Sequence, residues 1–227
     1  MRALATATVW CCLFAAFPLL AAPYHLQLEA NPAAPFPFLG RFGTVSIDVY
    51  DGGVRAESFW LNGFSRNGAR AVTVENPLGR MYTDLPLAGI APMVRRLGGA
   101  SLGPLSGPPA GVSTPVAGKV HGLDAMRYRL TYGPQAWIDI WTTRAVPENQ
   151  QFRAVVNEFV AGISPPAAEI ARRLPGAPIY VELNFRRFRK LPLLRVKGLS
   201  FDNKGEAGAL NVGTLYFRAP LLDSIWK

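Results

Sequence analysis

One stretch of this chain limits its fold more than any other. Phe152, Val155, Val156, Phe159, Val160 and Ile163 recur at i, i+3, i+4, i+7, i+8 and i+11, the spacing that gathers apolar side chains into one stripe of an α-helix. Pro147 and Glu148 suit its start, and Ser164-Pro165-Pro166 its end. A second helical piece is predicted over Ala167 to Leu174. A short one is predicted over Leu87 to Leu97, with Ile90, Val94 and Leu97 on one side. A stripe of this strength cannot be buried by its own helix, and little other helix is available. A sheet must cover it.

The rest of the chain supplies that sheet. Val45, Ile47 and Val49 alternate with Ser46 and Asp48, and Met126, Tyr128, Leu130 and Tyr132 alternate with Arg127, Arg129 and Thr131. Period two marks strands with one face buried. Further strands are expected over Tyr24 to Leu28, Val54 to Phe64, Ala71 to Glu75, Arg80 to Leu85, Ala136 to Thr143, Pro178 to Phe188, Leu194 to Phe201 and Ala209 to Arg218. Asp51-Gly52-Gly53, Asn67-Gly68, Asn76-Pro77-Leu78-Gly79 and Leu191-Pro192 supply turns. Strands and helices in separate blocks predict an α+β fold. The expected form is a curved antiparallel sheet, a half-barrel, wrapped around one or two helices. Residues 98–118, rich in Gly, Pro and Ser, read as a long surface loop.

The N-terminus reads as an address. Arg2 is followed by an uncharged run through Ala22, with an apolar core from Val9 to Phe17 and small residues at Ala21 and Ala22. That order of charge, apolar run and small residues is a secretory signal peptide. The run is shorter than the roughly 20 residues of a spanning helix. Residues 1–21 are therefore expected to form a signal helix that is removed, with cleavage near Ala21 or Ala22, leaving residues 22–227 as a single periplasmic or secreted domain. Cys11 and Cys12, the chain's two cysteines, fall inside the leader. Trp10 before Cys11 does not suit lipoprotein processing. The mature chain must then rely on its core without disulfides or thiol chemistry. Its formal charge of +9, of which Arg2 contributes one, favours anionic envelope surfaces over nucleic acid after export.

The meander from Val45 to Leu85, the hairpin from Met126 to Thr143, the helix from Gln150 to Ile163 and the closing strands from Ile179 to Arg218 together resemble the periplasmic lipoprotein-carrier fold, the LolA/LppX-like half-barrels. The resemblance lies in element order. It implies a concave apolar surface, covered by helices, that accepts an acyl chain.

Chemistry-bearing residues are sparse. His25 and His121 stand apart and lack metal-ligand spacing. No G-x-S-x-G elbow supports a hydrolase triad. No catalytic, metal or cofactor site is expected, and the protein is read as a non-enzyme. Trp137, Asp139 and Trp141 share one strand face. Aromatic plates beside an acid suit a sugar-binding platform, whereas Trp packing with its N–H bonded is the ordinary alternative. Trp137, Trp141, Phe152, Val156, Phe159 and Ile163 are the groove candidates, although such a stripe more often forms core. Arg186, Arg187, Arg189, Lys190, Arg195 and Lys197 are expected to converge on one basic hairpin. This is either a dock for anionic head groups or an acidic partner, or a solvated edge guarded against aggregation.

The reading that follows is an exported protein that binds a lipid or other amphipathic ligand in the groove, with the basic hairpin against the anionic head or membrane. The alternative is a structural adaptor of a cell-envelope assembly with an envelope protein as partner. A carbohydrate-binding or hydrolytic protein is a third reading, lacking a second suitably placed carboxylate.

Overall fold

A computed structural model describes residues 23–30, 44–59, 61–98, 103–134, 136–185, 188–192, 194–201 and 208–219. Residues 1–21, where the sequence predicts a leader, lie outside these. A meander opens the fold: β1 (Tyr24–Ala30), β2 (Thr44–Tyr50), β3 (Gly53–Glu57), β4 (Asn62–Arg66), β5 (Ala71–Asn76) and β6 (Met81–Pro86). Then come α1 (Leu87–Gly98), β7 (Gly111–Val112), β8 (Val116–Val120), β9 (Leu123–Tyr132) and β10 (Ala136–Thr143). Helices α2 (Gln150–Ile163) and α3 (Pro165–Ala171) precede β11 (Ala177–Phe185), β12 (Phe188–Pro192), β13 (Leu194–Ser200) and β14 (Phe217–Arg218). The class is α+β. Its strands divide into two sheets, not the one expected. Sheet A runs β13-β1-β2-β3-β4-β5-β6-β14, and sheet B runs β12-β11-β10-β9-β7 with β8 also on β9.

Local chemistry explains the joints. At Asn67-Gly68 only the glycine takes a positive φ, 75°. The β8–β9 hairpin has a two-residue loop in which both His121 and Gly122 are left-handed, at 49° and 80°. That is the backbone a tight primed turn needs to match strand twist. Asn149 caps α2 by accepting from the Phe152 N–H at 2.9 Å, while its amide donates to the Tyr50 carbonyl at 3.0 Å. Ser164 both ends α2 and caps α3, and its hydroxyl lies 2.8 Å from the Tyr132 hydroxyl.

Two expectations are corrected here. Part of the 98–118 stretch is strand: β7 and the start of β8 lie along β9 and satisfy its outer edge. These strands are exposed and glycine-rich, so they lack the alternation that marks a half-buried strand. Arg189 and Lys190 do not share a hairpin with Arg195 and Lys197. β12, with Arg189 and Lys190, pairs with β11 in sheet B, and β13, with Arg195 and Lys197, pairs with β1 in sheet A. Leu191 and Pro192 belong to β12 and do not form a turn. Arg186 and Arg187 lie outside the described residues.

The core lies between helices and sheets. Ile90, Val94, Val160, Ile163, Ala167 and Ala168 pack with Leu130, Ile138, Ile140 and Leu183 of sheet B and Leu85 of sheet A. A second cluster joins Tyr24, Leu26, Val49 and Val54 of sheet A to Phe152 and Ile179. Helices α1 and α2 approach closely at Gly162. A Cβ there would overlap the Val94 Cβ and stand 2.9 Å from the Ala91 carbonyl oxygen.

Candidate functional site

Strand β10 sorts its side chains by parity. Ile138 and Ile140 enter the helix-facing core. Trp137, Asp139 and Trp141 occupy the opposite face of the strand. Register places Arg129 of β9 and Glu182 of β11 on either side of Asp139. Arg129 donates from Nε and Nη2 to the two Asp139 carboxylate oxygens, both at 2.7 Å. The carboxylate is almost fully buried, and the guanidinium is about one-third exposed. Hydrogen bonding to Asp139 pushes the Arg129 guanidinium above its ordinary pKa, against the opposing effect of desolvation. The same guanidinium lies 5.0 Å from the Trp137 ring centre, and Arg127 lies 5.7 Å from that of Trp141. With the Asn184 amide oriented to satisfy its neighbours, its oxygen accepts from Trp137 Nε1 at 3.0 Å and its nitrogen donates to Glu182 at 3.1 Å.

This ladder answers its own chemistry. Asp139 is engaged by a bidentate arginine. Arginines lie over both indole rings, on the faces a sugar would need. What the face presents outward is half-buried tryptophan and arginine, residue types enriched where interfaces bind most strongly. The sequence placed Trp137, Asp139 and Trp141 together. It did not single out Arg127 and Arg129, whose alternation with Tyr128 was the available signal.

The α2 stripe is core. Phe152, Val160 and Ile163 are buried, and Val155, Val156 and Phe159 pack against the same clusters. Trp141 joins the second cluster, against which Val156 also packs. Trp137 stands on the face of β10 opposite the residues that meet Ile163. Trp137 and Ile163 therefore stand on opposite sides of sheet B. Lys197 is exposed on β13.

Sheet A carries a second feature on the face opposite Val49 and Val54. The segment 208–213 crosses this face. Arg55 donates to the Ala209 carbonyl at 2.9 Å and pairs with Glu57 at 2.6 Å and Glu75 at 3.0 Å. Burial opposes the charge on Arg55, but the hydrogen bond and charges of these two glutamates outweigh it and raise its pKa. Arg66 donates to the Leu210 carbonyl at 3.1 Å and to the Asn211 side chain. Tyr50, Phe64 and Leu210 form a small apolar cluster beneath. Beside it opens a cleft of about 630 Å³, with Phe64, Ala71, Pro86 and Val212 as apolar lining and Arg70, Thr73 and Asp84 as polar lining. The strand expected over Ala209 to Arg218 is corrected here: only Phe217–Arg218 is strand, and 208–213 turns across sheet A beside the cleft, held by its carbonyl bonds to Arg55 and Arg66.

The histidines have local partners or turn roles. His121 belongs to the β8–β9 turn. His25 Nδ1 lies 2.8 Å from Asp48 Oδ1 on β2, and Ser200 is its register partner on β13. The three share a row across β13, β1 and β2. Among the described residues, no group of three or more His, Cys, Asp or Glu side chains is placed to hold a metal. No helix among them is long and apolar enough to cross a membrane.

No family model matches the chain, and no curated protein matches it. Among solved structures, it is similar to an uncharacterized conserved protein from Thermus thermophilus, with a TM-score of 0.46, 9% identity, and coverage of 88% of this chain and 92% of that one. It is also similar to MucB in complex with MucA(peri), with a TM-score of 0.36, 12% identity and coverage of 86% of this chain. The chain spans 55% of that MucB chain. Both TM-scores lie below 0.5, so neither likeness carries an argument about function.

Proposed function

We propose that the protein is an exported, non-enzymatic adaptor of the cell envelope that engages a protein partner through the arginine–tryptophan face of sheet B. The observation that carries this reading is that Phe152, Val160 and Ile163 of the α2 stripe are buried in the protein's own core and Val155, Val156 and Phe159, partly buried, pack against it. A carrier needs that apolar surface open. An adaptor needs only a rigid support for an outward face, and sheet B backed by α2 and α3 provides one. Half-buried Trp137, Trp141, Arg127 and Arg129 supply the residue types that dominate binding energy at interfaces. The leader supports a partner in the periplasm or outside the cell.

A photocrosslinking residue in place of Trp137, introduced in growing cells, tests the proposal. One discrete protein adduct, lost when Arg127→Glu is added, supports it. The absence of a discrete adduct, together with a stoichiometric lipid on the purified protein, would sink it.

The cleft on sheet A favours a second reading. Its apolar lining and exposed Arg70 suit an amphipathic anion. Thermal stabilisation by a long-chain fatty acid, abolished in Arg70→Glu, would establish that reading. No stabilisation across a chain-length series would remove it.

A further inference from the structure

Four large apolar side chains stand exposed at one end of sheet A. Phe59 is 69% exposed, Leu78 63%, Leu215 68% and Phe217 58%. Register fixes their common end. Glu57, Asn62, Glu75 and Tyr82 form one cross-strand row, and Arg218 continues it onto β14. Phe59 lies just beyond this row in the β3–β4 turn. Leu78 lies beyond it in the β5–β6 turn. Phe217 pairs with Met81 at the start of β6, its N–H donating to the Arg80 carbonyl at 3.0 Å, and Leu215 leads into it. The opposite end of the sheet turns through Asp51-Gly52 and Asn67-Gly68, which carry no large apolar side chain.

We propose that this end of sheet A docks on the surface of an anionic phospholipid bilayer. Isolated surface leucines are ordinary, but these four converge from separate turns onto one end. Phe59, Leu78 and Leu215 stand in loops, as inserting side chains do, and Phe217 stands beside them on the edge strand β14. The charge around them is complementary to acidic lipid. Arg80 is exposed in the β5–β6 turn, held at a positive φ of 50°. Arg218 follows Phe217 and is more than half exposed, 3.6 Å from Asp84. The acidic side chains on the row, Glu57 and Glu75, are both engaged by Arg55. The chain as a whole carries +9. Apolar tips that enter the head-group boundary, with arginines held at its surface, are the requirements of interfacial binding.

Flotation of the purified full chain with vesicles provides the test. One set contains phosphatidylglycerol with phosphatidylethanolamine, and the other contains phosphatidylcholine alone. The wild type is expected to float with the first and not with the second. The combined Phe59→Ser, Leu78→Ser and Phe217→Ser variant should bind at least about tenfold less. Arg80→Glu should bind several-fold less, with a smaller salt dependence than wild type. Leu78→Ser alone, on a turn tip, should keep the wild-type unfolding midpoint while losing part of the binding. Failure of the wild type to float with phosphatidylglycerol vesicles overturns the proposal, as does undiminished binding by the combined variant. A protein adduct from a crosslinker at Leu78, with no vesicle binding, would assign this end to a protein instead. The outcome is independent of the crosslink at Trp137, which reads the other sheet.

Discussion

Arg129 and Asp139 face each other across β9 and β10 and share two parallel hydrogen bonds of 2.7 Å. The carboxylate is buried and the guanidinium reaches solvent, so the two partners are unequal when removed. Arg129→Ala leaves an uncompensated buried carboxylate. We expect a loss of about 2–3 kcal/mol, less than for a fully buried pair because water reaches the arginine side. Asp139→Asn keeps an acceptor and leaves a solvated arginine, and should cost about 1 kcal/mol. Urea unfolding midpoints check the order. An equal loss from the two would mean that the carboxylate is better hydrated than its burial indicates.

Gly162 lets α1 and α2 touch. Gly162→Ala gains helix propensity but drives a methyl into Val94, with the Ala91 carbonyl oxygen 2.9 Å away. Overpacking of this kind costs about 1–3 kcal/mol. Adding Val94→Ala removes the Cγ1 that would stand 2.7 Å from the new methyl but keeps the overlapping Cβ, so it should recover only a small part of the loss. Thermal melts of both single variants and the double variant measure the coupling. A double variant whose loss equals the sum of the single losses contradicts this packing.

The Asn149 side chain serves two elements at once, capping α2 and donating to the Tyr50 carbonyl. Asn149→Ala should cost about 2 kcal/mol, the upper part of the range for lost caps. Asn149→Asp keeps the cap and loses the donor. It should fall between wild type and Ala in thermal denaturation.

Stability should decline in alkali. Burial pushes the Tyr24 hydroxyl well above its ordinary value of 10.0, with the Glu148 charge adding to it. Burial also raises Tyr132, against the lowering effect of its bond to Ser164. A raised folded pKa means that the folded state keeps its proton while the unfolded chain releases it. The stability contribution is therefore complete below about pH 10 and falls as pH rises toward the folded pKa, by up to about 1.4 kcal/mol per pH unit for each group. Unfolding midpoints between about pH 8 and 11 should bend downward, and Tyr24→Phe should flatten that bend. An unchanged slope in Tyr24→Phe would remove Tyr24 from the account.

The legible part of the fold was the part with a period. The α2 stripe, the β2 alternation and the β9–β10 hairpin all announce which face is buried, and each is where its spacing placed it. The division into two sheets was not legible. β12 and β13 are adjacent in sequence and read as a hairpin, yet each finds its hydrogen-bond partner elsewhere, in β11 and β1. Partner choice depends on chain ends meeting across the fold, which no local pattern records. β7 escaped notice because a two-residue exposed strand needs neither alternation nor apolar residues. At the candidate site, Trp137 and Asp139 were visible by parity. Their closure by Arg129 and Asn184 required register across three strands.

The pairing of Leu26 with Leu199 across β1 and β13 has a consequence for biogenesis. As the chain is made, β1 can find β2 early, but its other edge waits until nearly the whole polypeptide has emerged. Loop closure of that length makes folding slow. On the proposed export, such a delay would suit a chain that crosses a membrane unfolded, since sheet A closes only after the last strands have followed the first through.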